Sequence, residues 1–372
     1  MKKKLKIILF VQILLFIISY YFFRLIIKKT HKWIIGVDEI ASNIFFYGNI
    51  LDDSLTVSLS KNKFYNLKYD YHTNIKNKYI HFFLRSIYGP LLLGYLIHKA
   101  DNFFYIWHTG FLIDREFEFK FLKSKDKNII CRFLGDDIRS LILMKEHSIR
   151  SNLDCRINYR TNVNNIKYDN EKKRIAYIAD KYADIIFNNN KDQISYLKSN
   201  IYKTLIPYEN FTFNINKYSN INNVKILHAP SNPINKGTPL VRAALKKLEL
   251  EGYSFDYIEL QDVPNKVVLE HLASAHIVLN QFYSSAAGLF GVEGISHYCC
   301  VLQSADYYFK PTEKPWLQTK YYEIYDKLKF ILDNPLKMEC YASNGYKFAK
   351  TYHTNEAVKK QLYKIFEENN II

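Results

Sequence analysis

The sequence predicts an α/β chain of two parallel-sheet domains behind one N-terminal hydrophobic helix. Three observations predict it. A regular βαβαβ alternation runs from Val224 to Val301. Earlier in the chain, apolar runs such as Trp33–Val37 and Phe103–Ile106 each end in polar residues. The 372 residues are also enough for two core-forming domains. The expected division is a helix over 1–30, a first domain over 31–210, a linker over 211–223 and a second domain over 224–352. A last helix over 353–372 is expected to return to the first domain.

Taken in order, Leu5 to Ile27 is almost wholly apolar, broken by Lys6, Gln12, Ser19 and Arg24. It just reaches the ~20 residues that cross a bilayer. Lys2, Lys3, Lys4 and Lys6 precede it, and Arg24, Lys28, Lys29 and Lys32 follow. With both flanks basic, the positive-inside rule selects no orientation. The stretch has no small-residue cleavage site, which disfavours a secretory signal. A span and an interfacial helix both remain open; either puts the chain on a membrane.

In the first domain, Trp33–Val37 reads as a buried strand ending in Asp38-Glu39. That acidic pair serves either an acceptor or the positive end of a helix. Leu51 to Tyr79 is polar and carries no clear element. His81 to Lys99 is helical and apolar, with an interruption at Gly89-Pro90. Phe103 to Gly110 is a strand ending in His108, and Asn128 to Arg139 another ending in Gly135-Asp136-Asp137. Polar groups at the carboxyl ends of parallel strands are where ligands bind in such sheets. His108 is either a site residue or a structural histidine; Arg139 pairs either with a phosphate or with a neighbouring aspartate. Lys172 to Ala183 is a basic helix followed by the strand Asp184–Phe187. Asn210 to Asn223 is Asn-rich without a helical stripe, hence the expected linker.

In the second domain, Ile226-Leu227 ends in a polar loop. Thr238-Pro239 has the form of a helix start, a hydroxyl N-cap with proline at the first helical position. Val241, Ala244, Leu245 and Leu248 then recur at helical spacing. Phe255–Leu260 is the next strand, Asp262-Val-Pro264 opens a helix, and His276–Phe282 is a third strand. Lys236-Gly237 sits at the mouth of a helix, where the dipole and a lysine charge favour an anion. Gly288 and Gly291 frame a second turn. Glu293 follows near a helix start, placed to accept hydrogen bonds from a ribose diol or to complement the helix dipole. Tyr321–Leu332 is helical up to Asn334-Pro335, and Val358, Leu362, Ile365 and Phe366 share one face of the last helix.

Composition narrows the function. The formal charge of +16 would suit nucleic acid or an anionic membrane face. Zinc-ligand spacings, RNA-binding aromatic signatures and compact basic helices are missing, which argues against nucleic acid. Five scattered cysteines do not make a disulfide framework, so the body of the chain is expected in the cytoplasm. An NAD-dependent oxidoreductase is disfavoured because no Gly-x-Gly-x-x-Gly turn follows a strand.

Pro230-Ser-Asn-Pro-Ile-Asn-Lys-Gly-Thr238 and Gly288-Leu-Phe-Gly-Val-Glu293 resemble the donor half of GT-B glycosyltransferases of the family 4 type. The resemblance implies a GT-B fold, two Rossmann-like domains facing a cleft, and a metal-independent, retaining transfer from a nucleotide-sugar. In it, Lys236 matches the lysine that holds the donor diphosphate, and Glu293 the second Glu of a spaced pair, which holds the ribose. The family's arginine falls on Ser231, the first Glu on Ser285, and Tyr298-Cys-Cys-Val301 replaces a Gly-x-Pro-Val. A subgroup with an Asp-Gln pair at the strand end is similar to Asn280-Gln281 here. The implied donor set is Ser231, Lys236, Gly237, Asn280, Gln281, Gly288, Phe290, Gly291 and Glu293. The matching loops of the first domain imply that His108, Asp136, Asp137 and Arg139 line the sugar and acceptor site. The expected partners are a nucleotide-sugar donor, an envelope glycan or lipid-linked acceptor and membrane lipid, with no cofactor and no metal. The departures at Ser231, Ser285 and Tyr298 support the rival expectation, a membrane-tethered relative that has kept the fold and lost the chemistry.

Overall fold

The structure is a computed structural model that describes all residues except 1, 61–66, 74, 76, 155–164, 190, 220, 222 and 308–312. The chain forms two compact units. The first comprises Met1–Ser140, Asn165–Thr204 and Lys359–Ile372, the second Leu141–Asn164 and Leu205–Val358.

In chain order the first unit begins with α1 (Lys2–Arg24), β1 (Trp33–Val37), α2 (Asn43–Ile50), β2 (Ser54–Ser58), β3 (Tyr71–His72) and α3 (Lys78–Leu96). It continues with β4 (Asn102–Ile106), α4 (Arg115–Lys123) and β5 (Asn128–Arg132). After α5 (Leu141–Ser151), which belongs to the second unit, come α6 (Asn165–Tyr182) and β6 (Ile185–Phe187). The six strands form one parallel sheet in the order β3-β2-β1-β4-β5-β6. Every residue of β1 and β4 is buried, as expected for parallel strands covered on both faces. Ser54–Ser58 and Tyr71–His72 lie in the stretch whose sequence gave no element. Their alternation is too short and polar to stand out, and it is the pairing to β1 that makes β2 a strand.

The apolar N-terminal helix packs on this unit with one face. Phe16 and Tyr20 are buried in its core, with Phe16 edge-on to Phe121 at 4.8 Å and Tyr20 stacked on His98 at 4.8 Å. Burying each aromatic contributes about 1.5–3 kcal/mol. Of the four polar breaks, Gln12 and Ser19 turn inward. The Ser19 hydroxyl donates to the Leu91 carbonyl at 2.7 Å, beside Gly94, where an added Cβ would come within 2.6 Å of Ser19. Gln12 accepts from the Ile113 N–H at 3.0 Å and donates to the Ser86 carbonyl at 3.3 Å. Pro90, inside α3, has no N–H for the Ser86 carbonyl four residues back, and Gln12 takes up the acceptor that proline leaves. Contrary to the expected interruption at Gly89-Pro90, α3 runs through unbroken.

The second unit contains α5 and then β7 (Val224–His228), α7 (Pro233–Lys236), α8 (Thr238–Leu250), β8 (Phe255–Glu259) and α9 (Asn265–Ser274). These are followed by β9 (Ile277–Leu279), α10 (Gly288–Ser296), β10 (Cys300–Gln303), β11 (Leu317–Gln318), α11 (Ile324–Asp333) and α12 (Pro335–Tyr352). Its five strands are parallel in the order β11-β10-β9-β7-β8. Apolar clusters cover both faces, one around Ile226, Leu245 and Leu328, the other around Leu227, Val278 and Trp316.

The expected linker is part of this second unit. Ile215–Tyr218 forms a single 3-10 turn. The buried Lys217 ammonium donates to the carbonyls of Leu272 at 3.1 Å and His297 at 2.8 Å and to Cys299 Sγ at 3.2 Å. Asn220 and Asn222 lie outside the described residues. The last helix, α13 (Asn355–Glu368), starts in the second unit, and its residues from Lys359 onward belong to the first. There Phe366 packs its ring 4.7 Å from Trp33.

Candidate functional site

In the first sheet the strand order reverses between β1 and β4, the place where open parallel sheets bind ligands beyond their carboxyl ends. Asp38, just after β1, is paired with Arg85 Nη1 at 2.9 Å and accepts from the Thr109 hydroxyl at 2.7 Å. Glu39 accepts from the N–H groups of Ile44 and Phe45 at 3.2 and 3.1 Å and from the Tyr69 hydroxyl at 3.0 Å. It therefore satisfies the first turn of α2, and burial pushes its carboxyl up to about 7 against those hydrogen bonds.

Beyond β4 the chain turns at Trp107, a non-glycine residue with φ of 73°. His108 follows with Nδ1 buried and without a hydrogen-bond partner among the described residues. Burial, then the charges of Lys172, Arg115 and Arg85, push its imidazole down to about 3, so it is neutral near pH 7. His108 lines a cavity of about 350 Å³ with Gln12, Arg85, Arg115, Ile113 and Arg174.

The loop after β5 differs from the expectation that its charged residues face a ligand. Asp137 is fully buried and accepts from the N–H groups of Leu134 at 3.1 Å and Gly135 at 2.7 Å; burial pushes its carboxyl up to about 6. Arg139, 1 % exposed, donates to the Asp192 carbonyl at 2.8 Å and pairs with the carboxylates of Asp192 and Asp136. Of the two readings left open, the pairing with neighbouring aspartates is the one formed. Asp137 and Arg139 hold the loop together from inside. The carboxylate of Asp136 is the more exposed partner, and its backbone carbonyl accepts from the Tyr168 hydroxyl at 2.9 Å.

The second sheet reverses between β7 and β9. The loop after β7 holds Ser231, which is exposed, and then Lys236, whose ammonium donates to Gln281 Oε1 in the loop after β9. Gly237 takes φ of 83° and is itself the N-cap of α8. The Thr238 hydroxyl is buried and bonds His228 Nε2 at 2.8 Å instead of capping the helix as its sequence suggests. His228 Nδ1 bonds the Leu279 carbonyl at 2.6 Å, so one imidazole, held neutral by burial, ties β9 and the start of α8 to the end of β7.

Asn280 donates to the carbonyl oxygen of Ala287 and, at 2.6 Å, to Gln303 Oε1. Gly291 leaves room for that amide pair, because an added Cβ would lie 2.5 Å from Gln303 Oε1 and 2.6 Å from Asn280 Nδ2. Gly288 opens α10 with φ of 66°, and Phe290 packs on the apolar cluster beneath. Glu293 does not lie at the helix start; it is the sixth residue of α10, turned inward and 3 % exposed. Asn265 Nδ2 donates to it at 2.9 Å, and burial pushes its carboxyl up to about 7 against that bond. Lys236, Gly237, Asn280, Gln281, Gly288 and Gly291 are thus assembled at one reversal point, while Ser231 is exposed, Phe290 packs on the apolar cluster and Glu293 turns inward to Asn265. A separate hollow of about 780 Å³, lined by Gln318, Lys320, Tyr322 and Phe330, contains none of the residues expected from sequence.

Sequence reading missed Arg85, Arg115 and Asn265. Arg115 carried a signal: it is the first residue of α4, where the helix dipole opposes a cation. Among the described residues, no group of three His, Cys, Asp or Glu side chains could hold a metal ion.

No family model matches the chain, and no curated protein matches it by sequence. Solved structures do. WaaG, a glycosyltransferase involved in lipopolysaccharide biosynthesis, is similar with a TM-score of 0.53 at 13 % identity, over 90 % of this chain and 98 % of that one. S. aureus MnaA, in a co-structure with UDP, is similar with a TM-score of 0.51 at 14 % identity, over 92 % of this chain and 98 % of that one. At these identities the likeness establishes the fold: two parallel-sheet α/β domains of the GT-B class.

Proposed function

We propose that the chain is a membrane-associated glycosyltransferase that moves a sugar from a nucleotide-sugar to a cell-envelope glycan or lipid-linked acceptor. The observation that carries the reading is the cluster at the reversal point of the second sheet. There Lys236 and Gln281 meet across two loops beside a glycine-capped helix start. Breaking a glycosidic bond to a nucleotide leaves a diphosphate whose charge must be stabilised as it forms. Lys236 and the dipole of α8 supply positive potential for it. Asn280 and Gln281 position the donor, Glu293 is the candidate partner of its ribose, and the neutral His108 orients the sugar or acceptor as a hydrogen-bonding group. Retention of configuration and independence from metal are carried over from the family resemblance.

Membrane association is supported by α1. Its Leu5–Arg24 stretch has a mean hydropathy of 2.2 with only 22 % buried. Phe10, Leu14, Ile18 and Phe22 remain exposed on α1, as do Ile80, Phe82 and Phe83 on α3. The inward-facing Gln12 and Ser19 favour a helix lying in the interface over a free span, with basic flanking residues toward anionic headgroups. A nucleotide-sugar is a cytoplasmic donor, so we place the body of the chain on that side. A tethered binding protein without chemistry is the second reading, favoured by serine at positions 231 and 285 and by the burial of Glu293.

The deciding experiment measures nucleotide release by detergent-solubilised protein across UDP-, GDP- and CMP-sugars, with Lys236→Ala alongside. Release from one donor that falls at least about a hundredfold in the variant is the expected result, the range for removing one positioned charge donor. Donor binding without release or transfer would leave the tethered binding protein in its place.

A further inference from the structure

The cavity beside His108 has a feature that the donor chemistry does not use. Arg115 is 6 % exposed, yet its Nε and Nη1 are buried with no hydrogen-bond partner among the described residues. Its Nη2 rests on Cys131 Sγ at 3.2 Å, and its guanidinium lies 4.6 Å from the Phe119 ring centre. Ring contacts offset part of the cost of burying a guanidinium, but they leave the N–H groups of Nε and Nη1, on different edges of it, unused. The position at the first residue of α4 adds to that cost. Such an arrangement is stabilised when an oxyanion comes to the guanidinium.

The surroundings say what carries the oxyanion. Arg85 and Arg174 line the same cavity, against Glu171 as the acidic residue on its wall. Nearby, Asp38 is engaged by Arg85 and Thr109, while Glu118 accepts from the Tyr105 hydroxyl and the N–H groups of Phe111 and Leu112. Arg174 lies 3.6 Å from Asp114 at the surface. Three guanidinium groups suit the two charges of a phosphate better than the single charge of a carboxylate. The rest of the wall combines apolar Phe111, Leu112, Ile175 and Ile178 with polar Ser86, His108, Thr109 and, from α1, Gln12, and its Phe82 and Ile113 are half exposed. Through Gln12 and Phe82 the cavity adjoins α1 and α3, the two helices whose apolar side chains remain exposed.

We propose that this cavity binds the phosphate group of an amphiphile, with Arg115 and Arg85 on the phosphate and the apolar chain leaving over Phe82 and Ile113 onto α1 and α3. In the transferase reading, on which only this last step rests, that amphiphile is the acceptor, a lipid phosphate presented from the membrane surface. Binding itself requires no donor.

The test titrates full-length protein in an uncharged detergent with hexyl phosphate, hexanol and inorganic phosphate by calorimetry. Hexyl phosphate should bind at least about tenfold tighter than inorganic phosphate, since burying even two methylenes supplies that factor. Arg115→Met, an apolar replacement of similar length, should weaken hexyl phosphate at least about tenfold, and Arg85→Gln should weaken it as well. Nucleotide binding, measured on the same samples, should be unchanged in both. Inorganic phosphate binding as tightly as hexyl phosphate would overturn the amphiphile. Hexanol binding equally well, or both variants binding like wild type, would overturn the phosphate site. A chain that binds hexyl phosphate but no nucleotide keeps this site and loses the transferase reading; the reverse outcome keeps the transferase and loses the site.

Discussion

For Arg139 the sequence leaves a phosphate and a neighbouring aspartate open as partners, and one substitution tests the aspartate pairing. Its guanidinium is buried and bound to the carbonyl and carboxylate of Asp192 and to the carboxylate of Asp136. Arg139→Met keeps the length of the side chain but removes the guanidinium paired with the buried Asp192 carboxylate. Breaking a buried pair from one side costs about 3–5 kcal/mol. For a folding unit of roughly two hundred residues, each kcal/mol moves the melting temperature by about 2–4 °C. Loss of the arginine should therefore lower the first unit's transition by about 10 °C in a calorimetric scan. The double variant Arg139→Met/Asp192→Leu should recover part of that loss, because it removes the other half of the broken pair as well. If Arg139→Met melts within about 2 °C of wild type while losing its response to donor or phosphate, Arg139 is a ligand contact and the scaffold assignment fails.

Two further outcomes follow from buried groups. The Glu293 carboxyl is pushed up to about 7 in the folded chain from an ordinary value of 4.5. A raised carboxyl favours the fold fully below 4.5, and that contribution is lost as the pH rises through 7. Glu293→Gln keeps an acceptor for Asn265 and removes the titration. Relative to wild type, its stability should improve between pH 5 and 8 by up to about 3 kcal/mol, and parallel melting curves across that range would count against the buried carboxyl. Gln12→Leu makes α1 more apolar, so a freely spanning helix would tolerate it. In the docked helix it strands the Ile113 N–H and the Ser86 carbonyl, at about 1–3 kcal/mol each. Melting at least about 5 °C lower is expected, and an unchanged transition would favour the span.

Much of the fold is legible in the chain itself, and the reasons are local. From β7 to β10 the apolar runs alternate with helical stripes, and Val241, Ala244, Leu245 and Leu248 form the buried face that their spacing indicates. Lys236-Gly237 could be placed at a helix mouth because glycine there meets the left-handed turn. Asp137, Arg139 and Glu293 were harder, since a charged residue at a strand end reads alike whether it faces solvent or a partner. The partners were out of register with any motif: Asp192 comes from the loop after β6 and Asn265 from the start of α9. Lys217 was concealed in an Asn-rich stretch because two of its three acceptors are backbone carbonyls, which leave no trace in side-chain patterns. Gln12 and Ser19 were visible as interruptions, but only Pro90 in a distant helix explains what Gln12 does.

The discontinuity of the first unit bears on how the chain is made. Trp33 is fully buried, and Phe366 forms part of its cover. On the same face, Asp52 holds the Tyr363 hydroxyl at 2.9 Å and the Lys359 ammonium at 2.7 Å, the tyrosine lying 311 residues away in the chain. At about 5–20 residues per second of synthesis, that separation takes about 15–60 s to emerge from the ribosome. Once Val358, the last residue of the second unit, has emerged, the first unit still lacks the residues from Lys359 onward, among them the Phe366 that covers Trp33 and Phe187. The first unit is thus the later of the two to close, and shortening the chain ahead of Tyr363 would leave it open.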